Sequence, residues 1–145
     1  MLTGDHGTTF GGQPLQTRTA HHVFGRIADF SFLDHVAEVG DQLHARLSKL
    51  QNYFPNLIAG PVRGRGMILG VPFKDHDHPG KVAKLCRERG LLLLTCGNGT
   101  MRFVPSLTIT TEEVNKGCDI FESALTVLSE EGAQKQPPSG QMMSE

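Results

Sequence analysis

The sequence predicts an α/β fold of the α+β kind, a three-stranded, mostly antiparallel sheet covered by helices. Three observations lead there. Apolar residues recur at three- and four-residue spacing from Leu33 to Leu50 and again from Val114 to Leu128, the pattern of two amphipathic helices. Short runs rich in Val, Leu, Ile and Phe at 62–73, 91–95 and 101–109 are bounded by glycine and proline. The resulting order, α-α-β-α-β-β-α, leaves a small sheet whose apolar face needs a helical layer over it.

The first helix follows Pro14, a residue suited to a first helical turn because its missing N–H has no partner there anyway. In "LQTRTAHHVFGRI" the residues Leu15, Val23 and Ile27 fall at near-helical spacing. The second helix opens at Ser31, with Asp34 three residues on as a weak capping box. Leu33, Val36, Gly40, Leu43, Leu47 and Leu50 form its buried stripe, and Pro55 ends it. Val62–Phe73, "VRGRGMILGVPF", reads as one strand with glycine-permitted bends. A short helix starts at Pro79, turns Val82, Leu85 and Cys86 inward and stops at Gly90. "LLLLT" reads as a buried strand, "CGNGT" as a turn, and "MRFVPSLTI" as a strand with Met101 and Phe103 on one face and Arg102 and Val104 on the other. Thr110 and Glu113 form a capping box for the last helix, whose apolar face is Val114, Cys118, Phe121, Leu125 and Leu128. From Glu131 the composition turns to Gly, Gln, Pro and Ser, and a disordered tail is expected over 131–145. The chain thus divides into a glycine-rich loop with a linking helix over 1–30, a small domain over 31–130 and the tail.

Composition narrows the function. The chain has 145 residues, 38% hydrophobic content and a formal net charge of -1. Length and apolar content suit one modest core, and the near-neutral balance disfavours a nucleic-acid partner. The longest apolar run, Leu91–Leu94, is strand-sized, so a membrane role is not expected. Three cysteines without a CxxC pair point to neither a disulfide framework nor a zinc site, and they read as packing residues. "MLTGDHG" has neither an apolar signal region nor an Arg-rich presequence. A chain complete at Met1 is therefore expected in the cytoplasm.

Two features carry candidate chemistry. "GDHGTTFGG" at Gly4–Gly12 places several backbone N–H groups and two hydroxyls just before a helix, an arrangement able to cradle a phosphate. It fits no nucleotide-binding fingerprint, and an ordinary tight turn is the alternative. Arg102, between Met101 and Phe103, is expected to be partly buried and able to grip a carboxylate through two parallel hydrogen bonds. A structural ion pair or a solvent-facing edge arginine is its alternative. "DHDHP" offers His76 and His78 without a third ligand, "RGRG" is a single copy of a pattern found in RNA-binding tracts, and His21 and His22 read as surface or core residues.

Taken together, three segments resemble the C-terminal part of the class III aminotransferases, which use pyridoxal phosphate (PLP), and within that family most the acetylornithine type of fungal mitochondria. "GDHGTTFGG" with the following "QP" is similar to the family's GDHG[ST]TFGGNP. "VRGRGMILG" is similar to its strand after the long helix, and "CRERGLLLLT" with "GTMRFVPSLTITTEEV" to its closing block. The resemblance covers Gly4 to Leu128 and implies the small domain of a fold-type I PLP enzyme, acting as a homodimer or beside a full-length subunit. It implies that Thr9, with Gly7 and Thr8 beside it, reaches the PLP phosphate held by a neighbouring subunit. It further implies that Arg102 binds the carboxylate of a small amino-acid substrate, and that the enzyme works in the mitochondrial matrix, moving an amino group from N-acetylornithine to 2-oxoglutarate in arginine biosynthesis. The family's Schiff-base lysine and pyridine-pairing aspartate precede the glycine loop, so no catalytic residue is expected within the chain and the chain alone is expected to be inactive. Ornithine and 4-aminobutyrate transaminases share this layout, and a non-catalytic domain docking on a full-length aminotransferase is the competing reading. Gln13 stands where the family has asparagine, and "LQTRTA" is more polar than the small apolar residues expected there.

Overall fold

Two helices precede the sheet: α1 (Pro14–Ile27) and α2 (Phe30–Tyr53). They are followed by β1 (Arg63–Arg65), β2 (Ile68–Pro72), α3 (His78–Glu88), β3 (Leu94–Cys96), β4 (Thr100–Phe103) and α4 (Thr111–Gln134). The computed structural model describes residues 7–97 and 99–134, and the chain divides into two compact units, one up to Ala37 and one from Glu38.

In the first unit, Pro14 occupies the first turn of α1 as expected, and no residue of the helix is buried. Phe10, Leu15, Phe24 and Phe30 are all exposed. The start of α2 differs from the Ser31 cap read from sequence. Asp29 is the capping residue: its carboxylate accepts from the Ser31 N–H at 2.8 Å and the Ser31 hydroxyl at 2.6 Å. Those bonds, the hydroxyl's first, hold the Asp29 carboxyl below its ordinary range. Leu33, expected on the buried stripe, is exposed.

The second unit is built on a four-stranded antiparallel sheet in the order β1-β2-β4-β3, not a three-stranded one. The extra strand comes from the segment read as a single bent strand. Gly64 (φ 110) and Gly66 (φ 57) adopt left-handed conformations, so the chain folds back and pairs Arg65 with Ile68. A Cβ on Gly64 would run into the Ile68 carbonyl oxygen, so the hairpin needs glycine there. "LLLLT" is also corrected. Only Leu94–Cys96 is strand, at the sheet edge, and Leu92 and Leu94 are 80% and 61% exposed.

Strand alternation points Leu69, Val71, Met101 and Phe103 into the core. There they meet the α2 stripe at Leu43, Leu47 and Leu50, the α3 residues Val82 and Cys86, and the full α4 face expected from the sequence. Phe103 and Phe121 pack edge to face at 5.0 Å. Arg46 and Gln42 of α2 reach Asn115 of α4 at 3.2 and 3.0 Å, and Arg46 pairs with Asp119. The Thr110–Glu113 capping box forms in both directions: the Thr110 N–H donates to the Glu113 carboxylate at 2.9 Å, and the Glu113 N–H donates to the Thr110 hydroxyl at 3.2 Å. Gly90 (φ 88) stops α3 while the Leu91 N–H caps Cys86 at 2.9 Å. Helix α4 runs to Gln134, four residues into the segment expected to be unstructured, and the rest of that tail lies outside the described residues.

Gly40 belongs to the α2 stripe because the chain approaches it closely. A Cβ there would stand 3.1 Å from the Gly66 carbonyl carbon and 3.2 Å from its Cα. Backbone cannot rotate away as a side chain can, so overpacking outweighs the roughly 1 kcal/mol helix-propensity gain of alanine over glycine. Gly40→Ala is expected to lose about 1 kcal/mol and Gly40→Leu more than about 2 in urea unfolding. A more stable alanine variant would show that the hairpin yields.

Burial pushes the thiols of Cys86 and Cys118 up to about 11 from an ordinary 9.0. Between those values the folded chain holds more protons than the unfolded one. Stability is therefore complete below pH 9.0 and is lost as pH rises through about 11, by about 2 kcal/mol or more per thiol. The urea midpoint measured across this window is expected to fall, and a Cys86→Ala/Cys118→Ala variant to flatten that part of the profile.

Candidate functional site

The glycine loop is described from Gly7 onward, and Gly4, Asp5 and His6 lie outside the described residues. Thr8 and Thr9 are exposed, and the chain turns through Thr9–Gly12, with Gly12 at φ 80. The Gln13 N–H donates back to the Phe10 carbonyl at 3.5 Å, a long bond that closes the turn. Gln13 then sits at the N-cap of α1 in extended conformation, with no side-chain capping bond and no acidic residue in the first turn. Among the described residues, no acidic side chain of the first turn meets the positive end formed by the first N–H groups of α1. The Thr8 and Thr9 hydroxyls make no hydrogen bond with any described residue. By contrast, the Thr17 and Thr19 hydroxyls bond back to helix carbonyls. Two unengaged hydroxyls beside an exposed helix start form a donor set suited to a phosphate.

Arg102 lies in the second unit, on β4, and is exposed rather than partly buried. Met101 and Phe103 take the core face, so the residue between them must point the other way. Its cross-strand partners are Gly70 on β2 and Leu94 on β3. Arg102 has no ion pair among the described residues; the pairs found there are Arg46–Asp119 and His78–Asp75. A cavity of about 180 Å³ has Arg102 and Glu113 among its lining residues, with Leu43, Leu91, Leu93, Phe103 and Val114 supplying apolar walls. Its charged lining thus holds one cation and one acid, and the Glu113 carboxylate is engaged by the Thr110 N–H at 2.9 Å.

Two neighbours of Arg102 were not legible as site residues. Arg63 on β1 donates from Nη2 to the Thr100 hydroxyl at 2.7 Å, and Thr100 is buried two residues before Arg102. The signal was present in "RGRG", but it emerges only once that segment is split into a hairpin. The remaining candidates do not gather into a site. His21 and His22 are exposed, and His78 stacks edge-on against Phe73 at 6.4 Å with its Nε2 3.6 Å from Asp75. No group of three metal-ligating side chains occurs among the described residues. Cys86 and Cys118 are buried, while Cys96 is half-buried.

Comparison with known proteins adds a family. The model of a family described as aminotransferase class-III matches residues 1–125. The mitochondrial acetylornithine aminotransferase of Neurospora crassa is 46% identical over 128 residues, covering 88% of this chain and 27% of that protein. The Saccharomyces cerevisiae enzyme of the same name is 45% identical over 128 residues, covering 88% and 30%. A solved ornithine aminotransferase from Toxoplasma gondii, with PLP at partial occupancy in its active site, superposes with a TM-score of 0.74 at 30% identity, covering 90% of this chain and 31% of that one. The chain thus spans less than a third of the length of these relatives.

Proposed function

The chain belongs to the class III aminotransferase family, and from that premise we propose that it forms the C-terminal part of an acetylornithine-type aminotransferase. The parent enzyme transfers the amino group of N-acetylornithine to 2-oxoglutarate in arginine biosynthesis, in mitochondria and as a dimer. The observation that carries this reading is the identity to the fungal enzymes of that name, 45–46% over 128 residues.

The local geometry supports a role for each candidate residue. The Thr9 hydroxyl, with Thr8 and the Gly7 backbone beside it, donates to the phosphate of PLP bound mainly by a neighbouring subunit. The glycines let the backbone approach closely, and the start of α1 adds its positive end. PLP supplies an electron sink for the carbon that loses or gains the amino group. Arg102 orients the substrate by holding its carboxylate in a planar, two-bond grip. No lysine lies in the loop or in the strands that carry these residues. In this reading the group that moves the proton is supplied by the rest of the parent enzyme, and the 145 residues alone are expected not to turn over substrate.

A chimera in which this chain replaces the matching segment of a full-length fungal relative tests the reading. It is expected to transfer the amino group of N-acetylornithine. Arg102→Gln is expected to lower kcat/KM about 100-fold, and Thr9→Ala to weaken cofactor retention on desalting. A folded chimera that ignores N-acetylornithine, or is indifferent to both substitutions, would overturn it. The 145-residue chain alone, mixed with PLP and both substrates, is expected to give no glutamate above a protein-free control.

A further inference from the structure

Two open cavities meet at Gly80 and together make one groove along the free edge of the sheet. One bank is the chain at 92–97, with residues 92–94 lining the first cavity and 95–97 the second. The other bank is the loop at His76 and Asp77 followed by α3 as far as Arg87. Gly80 and Ala83 keep the α3 wall low, and a Cβ on Gly80 would meet nothing within 4 Å. At about 3.3 Å per residue the edge residues extend over about 20 Å, the length of one added strand.

The edge is unguarded. β3 pairs with β4 and, among the described residues, with no other strand, so the backbone groups on its outer side are open. Leu92 and Leu93, just before it, make no backbone hydrogen bond with any described residue. Edge strands are commonly blunted by charged side chains or proline, and residues 91–96 contain neither. Leu92 and Leu94 stand exposed. The charge lies across the groove instead. Lys84 and Arg87 line the half beside Leu92 and Leu94, and no acidic side chain lines that half; Asp77 belongs to the other. An incoming strand therefore meets open backbone, apolar side chains and two cations in one place.

We propose that this groove docks an extended acidic segment of a partner polypeptide, which adds as a strand beside β3 and sets its carboxylates against Lys84 and Arg87. Pairing draws Leu92 and Leu93 into the sheet, so β3 lengthens as the partner binds. Backbone hydrogen bonds supply the affinity, and the two cations supply the choice of partner. An anionic lipid surface would use the leucines and the cations but leave the open backbone groups unpaired. A second copy offering its own β3 brings no carboxylate on that strand. The surface lies on α3 and the sheet edge and makes no use of Arg102.

The test is an NMR titration of the 145-residue chain with a capped peptide of alternating valine and glutamate, following the amides of Leu92, Leu93, Leu94 and Thr95. Two control peptides accompany it: the valine–lysine counterpart, and the glutamate peptide N-methylated along one edge so that it cannot pair. The glutamate peptide is expected to shift those amides, to slow hydrogen exchange at Leu92 and Leu93, and to bind about tenfold more tightly than the lysine peptide, a gap that narrows as salt is added. Lys84→Glu combined with Arg87→Glu reverses the preference. Gly80→Leu, at a helical position with open space around it, keeps the fold, fills the groove and weakens binding about tenfold or more. Equal binding of the two charge types, undiminished binding of the N-methylated peptide, or binding that survives Gly80→Leu would overturn the proposal. So would shifts of these amides that arise only with vesicles containing phosphatidylserine, or only on raising the concentration of the chain itself, since the occupant would then be a membrane or a second copy.

Discussion

The pairing of β2 with β4 is the constraint on which the second unit depends. Leu69 faces Phe103 and Val71 faces Met101, and all four are buried against the helices. Because the side-chain period of a strand is two, that choice also decides the other face. Gly70, Thr100 and Arg102 point away from the core because their neighbours point into it. A slip of one residue would bury a guanidinium and expose Met101 and Phe103, a penalty of many kcal/mol in desolvation and lost packing. The position of Arg102 is thus enforced by the core, and no contact of its own is needed to hold it there.

Much of this was legible in the sequence because it rests on local rules. The α4 face and the Thr110–Glu113 box follow from three- and four-residue spacing and from a short-range hydrogen-bond pattern, and both appear as read. The Gly90 stop and the Pro14 start depend only on allowed backbone conformations. What could not be read depends on non-local pairing. The hairpin of β1 and β2 turns on glycines that permit either a bend or a reversal, and the choice is made by the partner strand. "LLLLT" has the composition of a buried strand, but position decided its exposure: β3 is the edge strand of the sheet. Asp29 displaced Ser31 as the cap because it stands one residue before the helix begins and can accept from two N–H groups and a hydroxyl at once.

The candidate site divides the same way. Arg102 was visible as a lone cation in an apolar strand. Its exposure follows from the alternation around it, and that exposure makes it more available to a ligand than the partly buried position expected. The Arg63–Thr100 hydrogen bond was not visible, since distant segments supply its two ends and only strand order joins them. Thr8 and Thr9 were visible as a donor pair, and both are exposed next to the turn that leads into α1.

The bare apolar side chains of the first unit also set the colloidal behaviour of the polypeptide. Phe10, Leu15, Phe24 and Phe30 meet water directly, while the whole chain carries a formal charge of only -1 and has a sequence pI near 6.6. Long-range repulsion between copies is weak at neutral pH, and the contact surfaces are sticky. In concentrated solution that combination favours self-association of the 145-residue chain. It keeps best away from its isoelectric point and at low protein concentration.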